Sequence, residues 1–234
     1  ASDRISDAVG YRCDTMNHDR LLYLQGLIAQ LNDSVVHLHH RQNVWSSYAK
    51  RMRALPEGYD LGGEALFHEW MAQNYADSMA VGIRRVVFPC SGGGTSMIGL
   101  LRKLQQGEFG MPDAIAVYGT DDKWRSERHR EWLRSRFFKN AEACVCRSAV
   151  GSDIARLGSD DTLTRIKTWA DKRVAHSVPH ASVKAVAFDD VGLALEVAGN
   201  VLHDYSVLLT GSGITRYTPV IADPWEHVLD RIVA

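Results

Sequence analysis

The sequence predicts an all-α protein, a helical bundle built as a single domain over residues 1–234. Three observations carry that prediction. Apolar residues recur at three- and four-residue steps through two long stretches, the spacing of one face of an α-helix. Cap and stop residues stand where those stretches end. The Val-rich pieces that look strand-like, Val183 to Phe188 and Thr218 to Ile221, are too few to build a sheet. The expected organisation is a core over about residues 20–210, interrupted by an irregular insertion over 89–160 that carries a charged helix, and followed by a C-terminal tail helix over 211–234.

The first helix is expected from about Asp19 to Leu55, with Leu24, Leu27, Ile28, Leu31, Val35, Leu38, Trp45, Tyr48 and Met52 in one periodic series. Pro56-Glu57-Gly58 and Gly62-Gly63 break it. The second runs from about Glu64 to Phe88, with Leu66, Phe67, Trp70, Tyr75, Met79, Ile83 and Val86 on its buried side, and Pro89 stops it. Ser91-Gly92-Gly93-Gly94 reads as a flexible link. No Gly-Lys-Ser/Thr follows it and no strand precedes it, so a phosphate loop is not expected. A short helix spans Ser96 to Gln105, and residues 107–120 are Gly-rich and irregular.

Asp121 to Phe138 reads as a strongly charged helix, with Lys123, Arg125, Arg128, Arg130, Arg134 and Arg136. The ordinary reading is a solvated face; the sharper one is a phosphate-contacting surface. Residues 139–159 read as a loop with at most a helical turn near Asp153. Asp160 or Asp161 then caps a helix from Thr162 to Val178, ended by Pro179. Asp189 or Asp190 opens the next, Val191 to Leu209, and Gly211 closes it. Asp223-Pro224-Trp225-Glu226 has the cap, proline and acid of a helix start. No internal repeat is present.

Composition narrows the function classes. In 234 residues, 45% are hydrophobic, enough for a substantial core and against wholesale disorder. The formal net charge of −1 does not mark a general nucleic-acid binder, so any such role needs a local basic face. Cys13, Cys90, Cys144 and Cys146 are scattered without paired CxxC units, which reads as reduced thiols in a cytoplasmic protein. No stretch approaches the ~20 apolar residues of a membrane span, and no membrane association is expected.

His37, His39 and His40 crowd one helix, but 37 and 40 share a face while 39 does not. With no HExxH and no cysteine pair nearby, a polar helix face or a dimer surface is expected and no metal or other cofactor. His176 differs. Ile166, Trp169, Arg173 and His176 form one stripe at helical spacing, with Asp171 and Lys172 beside it. Imidazole exchanges protons near neutral pH, and an adjacent cation stabilises charge growing on a phosphate. RNA brings its own nucleophile, the 2′-hydroxyl, so cleavage requires only proton relay and phosphate binding. Alone, such a histidine reads as a surface or capping residue.

The segment Asp171-Lys172-Arg173-Val174-Ala175-His176 resembles the Asp/Asn-Lys-x-x-Ala-His core of HEPN domains. Leu31-Asn32-Asp33 through Trp45-Ser46-Ser47-Tyr48, then Asn74-Tyr75-Ala76-Asp77 through Gly82-Ile83-Arg84-Arg85, resemble the AbiU-type HEPN family of abortive-infection proteins. The resemblance covers roughly residues 20–210. It implies a helical bundle that forms a homodimer with two histidines across a shared cleft. It also implies metal-independent RNA cleavage in phage defence or a toxin–antitoxin system, where an antitoxin or other defence partner is expected. His176 becomes the proton-transfer group and Asp171 its orienting partner. Arg84, Arg85, Lys172 and Arg173 are candidate phosphate ligands, and Asp77 orients the cation or the histidine.

The chain departs from the pattern at one place. Many HEPN nucleases carry an arginine immediately before the polar residue, and here that position is Ala170. Arg84 or Arg85 of the second helix can supply the charge, or Lys172 or Arg173 can. Otherwise the domain is a catalytically inactive relative that binds a nucleotide, an RNA or a partner protein. A helical scaffold whose charged helix docks an acidic partner is the third reading.

Overall fold

The computed structural model describes residues 18–56, 65–90, 94–106, 123–137, 147–174 and 185–213. Among them every regular element is helical, as the periodicity predicts. Helix α1 spans His18–Arg53, α2 Ala65–Val87, α3 Met97–Gln106 and α4 Lys123–Phe137. Helix α5 spans Arg147–Ser159 and α6 Asp161–Trp169, which runs into a π-helical turn, Ala170–Val174; α7 spans Phe188–Thr210.

α1 is the long spine. Its buried stripe, Leu21, Leu24, Ile28, Leu31, Val35 and Leu38, meets α2 and α7. Paired contacts fix α7 antiparallel to α1: Gln25 Nε2 donates to the Leu209 carbonyl (2.8 Å), Asn32 Nδ2 to Ser206 Oγ (3.1 Å), and Trp45 meets the ring of Phe188. α1 is 36 residues long and α7 only 23, about 54 Å against about 35 Å at the α-helical rise. Cover by α7 therefore ends near Trp45.

That length difference corrects the expectation for α2. Leu66, Phe67 and Trp70 are not on a buried side; they are 76%, 44% and 59% exposed, because they pack beside the uncovered end of α1. The buried part of α2 begins at Met79 and continues through Ala80, Ile83, Val86 and Val87. Near the exposed end the Tyr48 hydroxyl hydrogen-bonds His68 Nδ1.

The stretch read as a loop over 139–159 holds a 13-residue helix, α5. Ala149, Val150 and Leu157 bury one face of it, and Gly151 and Gly158 mask that helical periodicity by weakening intrinsic propensity. Met97, Leu100, Leu101 and Leu104 of α3, Leu133 and Phe137 of α4 and Val150 and Leu157 of α5 belong to the same hydrophobic cluster as α1, α2 and α7. A buried polar knot ties them. Arg136 Nη2 contacts both oxygens of Asp153 (2.9 and 2.7 Å), its Nε donates to Asp204 Oδ2 (3.0 Å), and the Tyr205 hydroxyl donates to Asp153 Oδ2 (2.8 Å). Burial, then the Asp153 charge, pushes the Tyr205 hydroxyl far above its ordinary range. Arg136 thus neutralises the buried Asp153 and the half-buried Asp204 rather than presenting its charge on a solvated helix face.

Asp160 caps α6, its side chain accepting from the Leu163 N–H at 2.9 Å, as expected. Gly211 closes α7 in the left-handed conformation, φ 73°, which only glycine adopts without strain. α7 starts three residues earlier than expected, at Phe188, because Asp190 accepts from the Ala187 N–H (2.9 Å) and Ala187 is extended. The strand-like piece Val183 to Phe188 forms no strand over its described residues, 185–188, and its last residue opens α7. The expected pieces at 107–120, Thr218 to Ile221 and 223 onward lie outside the described residues.

Candidate functional site

Two helices bring the site together. α6 buries Leu163, Ile166 and Trp169 against α2 and the core, and Ala170 behind them is 4% exposed within the same cluster. The arginine position of the motif is thus a packed methyl group, with no room for a guanidinium without displacing its neighbours. The helix then changes to i→i+5 bonding over Ala170–Val174. Such turns recur at functional sites, and this one alters the angular step of the helix directly after Trp169.

Asp171, the second residue of that turn, is the centre of the described cluster. Arg84 Nε of α2 donates to Asp171 Oδ1 at 2.8 Å, and Lys167 Nζ, one turn earlier, meets Asp171 Oδ2 at 2.8 Å. Burial alone pushes the Asp171 carboxyl up; the hydrogen bonds from Lys167 and Arg84 outweigh it and hold the group below the usual carboxylate range. The same bond from Arg84 raises the guanidinium further above neutrality, against the opposing effect of burial. Both remain charged at any cellular pH.

Arg84 also gathers the end of α2. Its Nη1 donates to the carbonyls of Phe88 (3.3 Å) and Pro89 (3.0 Å) and lies 3.0 Å from Cys90 Sγ. It therefore acts as the cation expected at a helix C-terminus and as the partner of Asp171 at once. Its Nη2 has no partner among the described residues, while Nε and Nη1 are fixed.

Arg85 is separated from this cluster. Adjacent helix positions lie about 100° apart, and Arg85 lines a groove between α1 and α2 instead, with Arg41, His37 and Asp77. Asp77 Oδ1 accepts from the Trp169 indole Nε1 at 2.9 Å. It positions the base of the π turn rather than a cation or histidine among the described residues. Lys172 is exposed on the turn. His176 and the side chain of Arg173 lie outside the described residues.

Sequence reasoning missed Lys167, Arg41 and the contact between Trp169 and Asp77. Lys167 was findable from its i,i+4 spacing to Asp171. The Asp77–Trp169 bond joins residues 92 apart and leaves no local signal. His37 and His40 place their rings edge to face, 6.4 Å between centroids. Burial, partly offset by a hydrogen bond with the Gln42 side chain, lowers the His39 imidazole and favours its neutral form. No group of three metal-ligating side chains gathers among the described residues, and none of the described helices is long and apolar enough to cross a membrane.

No curated protein and no solved structure matches the chain. A family model does, over residues 24–230: the HEPN family described as AbiU2, whose span takes in most of α1, all of α2, the Arg84–Asp171 cluster and His176. The chain belongs to the AbiU2 family of HEPN proteins.

Proposed function

We propose that this protein is a metal-independent endoribonuclease of a phage-defence or toxin–antitoxin system, acting in the cytoplasm as a homodimer. The observation that carries the reading is the Arg84–Asp171 ion pair. It supplies, from α2, the cation that Ala170 does not, and it does so on the turn five residues before His176.

The chemistry follows from those groups. One imidazole takes the proton of the RNA 2′-hydroxyl as its oxygen bonds to the adjacent phosphorus. The P–O5′ bond breaks, and a protonated imidazole returns a proton to O5′. The products are a 2′,3′-cyclic phosphate and a free 5′-hydroxyl, with no water, metal or oxidant consumed. In a dimer the two copies of His176 divide these roles. Arg84 Nη2, with Lys172 and Arg173, stabilises charge on the phosphoryl oxygens, and Asp171 holds Arg84 in place.

His176→Ala and Arg84→Ala are the tests, assayed on a mixed RNA pool in EDTA. Each variant is expected to cleave about 10²–10⁴-fold more slowly, with the mass in solution unchanged and toxicity in cells lost. Parent-like cleavage by His176→Ala overturns the assignment.

The burial of Ala170 favours a second reading: a catalytically inactive family member that binds a nucleotide, an RNA or a partner protein. It predicts saturable binding by the parent with no cleavage at any enzyme concentration.

A further inference from the structure

We propose that the groove between α1 and α2, apart from the Asp171 cluster, holds a backbone phosphate of the RNA strand. The inference rests on the ribonuclease reading and adds to it a binding subsite outside the reacting groups.

The groove exists because the two helices approach closely at its floor: a Cβ on Gly82 would stand 2.4 Å from Leu38 Cδ2. Leu38, Val81 and Val86 make that floor apolar, and the space above it is about 650 Å³. Arg41 and His37 stand on the α1 wall, Arg85 and Asp77 on the α2 wall. Arg41 and Arg85 are exposed and form no ion pair with a described residue.

The hydroxyls and the amide of the walls are turned to their own helix backbone, so the formal positive charge of the groove comes from these two cations. Ser34 Oγ donates to the Gln30 carbonyl (2.8 Å), Ser78 Oγ to Tyr75 (3.0 Å) and Asn74 Nδ2 to Trp70 (2.8 Å). Asp77, the one acid of the groove, has Oδ1 engaged by the Trp169 indole. Two guanidinium groups without an ion pair among the described residues, beside one part-engaged carboxylate, make a local positive field in a chain of net charge −1. Guanidinium pairs recognise phosphate oxygens through parallel N–H bonds.

The groove connects to the proposed centre through Asp77, which lines it and holds Trp169, two residues before Asp171. A strand with one phosphate in the groove and another at Arg84 runs across that link. A free nucleotide gains nothing from it.

The probe is a 2′-O-methyl oligoribonucleotide of about twelve nucleotides, within the span of a single-strand site, which binds without being cleaved. Its affinity is measured by fluorescence anisotropy against salt for the parent, Arg41→Ala, Arg85→Ala and Arg41→Lys, with helicity checked by circular dichroism. Each alanine variant is expected to bind about tenfold more weakly and to lower the log–log salt slope by about 0.7. Arg41→Lys is expected to keep the slope. Inorganic phosphate and a mononucleotide are expected not to compete at millimolar concentration. Parent-like affinity and slope in both alanine variants, with RNA cleavage by the parent intact, overturns the groove alone. Effective competition by a mononucleotide makes it a nucleotide pocket and also overturns it. A parent that neither binds nor cleaves RNA overturns both this inference and the ribonuclease reading.

Discussion

At the scale of single residues, the outcome turns on how one guanidinium is shared. Arg84 and Asp171 are 20% and 33% exposed in their side chains, so water and salt screen part of their attraction. A double-mutant cycle with Arg84→Ala and Asp171→Ala, read by urea unfolding, is expected to give a coupling of about 1 kcal/mol. Its pH dependence has a definite sign. The folded Asp171 carboxyl lies below its unfolded value, so its contribution is fully present above the unfolded value of about 3.9 and is lost as pH falls through the folded one. The coupling is therefore expected to stay constant from about pH 8 to pH 5. A fall in cleavage within that range then reports a histidine, not Asp171; a coupling that fades by pH 6 contradicts the assignment.

At the scale of elements, α5 and α4 show where local patterning stops being informative. α1, α2, α6 and α7 were legible because each carries a long apolar stripe and a cap or stop residue, such as Asp160 and Gly211. α5 was not, since its stability comes from one apolar face and from Asp153, a residue that reads locally as loop-forming. Asp153 is buried, and its partners Arg136 and Tyr205 come from α4 and α7; Asp204, also of α7, shares Arg136 with it. Tyr205→Phe removes one hydrogen bond while Arg136 still holds both carboxylate oxygens, and is expected to cost about 1 kcal/mol. Asp153→Ala strips the buried partner from both Arg136 and the Tyr205 hydroxyl, and is expected to cost about 3 kcal/mol. Urea midpoints with an unchanged m-value check both; equal costs for the two variants would show that Arg136 is fully satisfied by Asp204.

At the scale of the whole molecule, the fold class was readable but the site's assembly was only half so. Asp171, Lys172, Arg173 and His176 share one segment, and their chemistry could be read there. That Arg84 rather than Arg85 reaches Asp171 depends on the rotation of α2 against α6, which no sequence spacing encodes. The proposed two-histidine chemistry further requires a second copy of the chain, and the symmetry of the proposed dimer makes that requirement measurable. Parent protein and His176→Ala are unfolded, mixed in varying proportion and refolded together, so that subunits pair at random. If each protomer cleaves alone, activity falls in direct proportion to the parent fraction. If one cleft needs both imidazoles, only parent–parent pairs cleave, and activity follows the square of that fraction. At equal mixing the expected activity is then about a quarter of the parent's. A value of about half would place the complete proton relay within one protomer and remove the shared cleft from the mechanism.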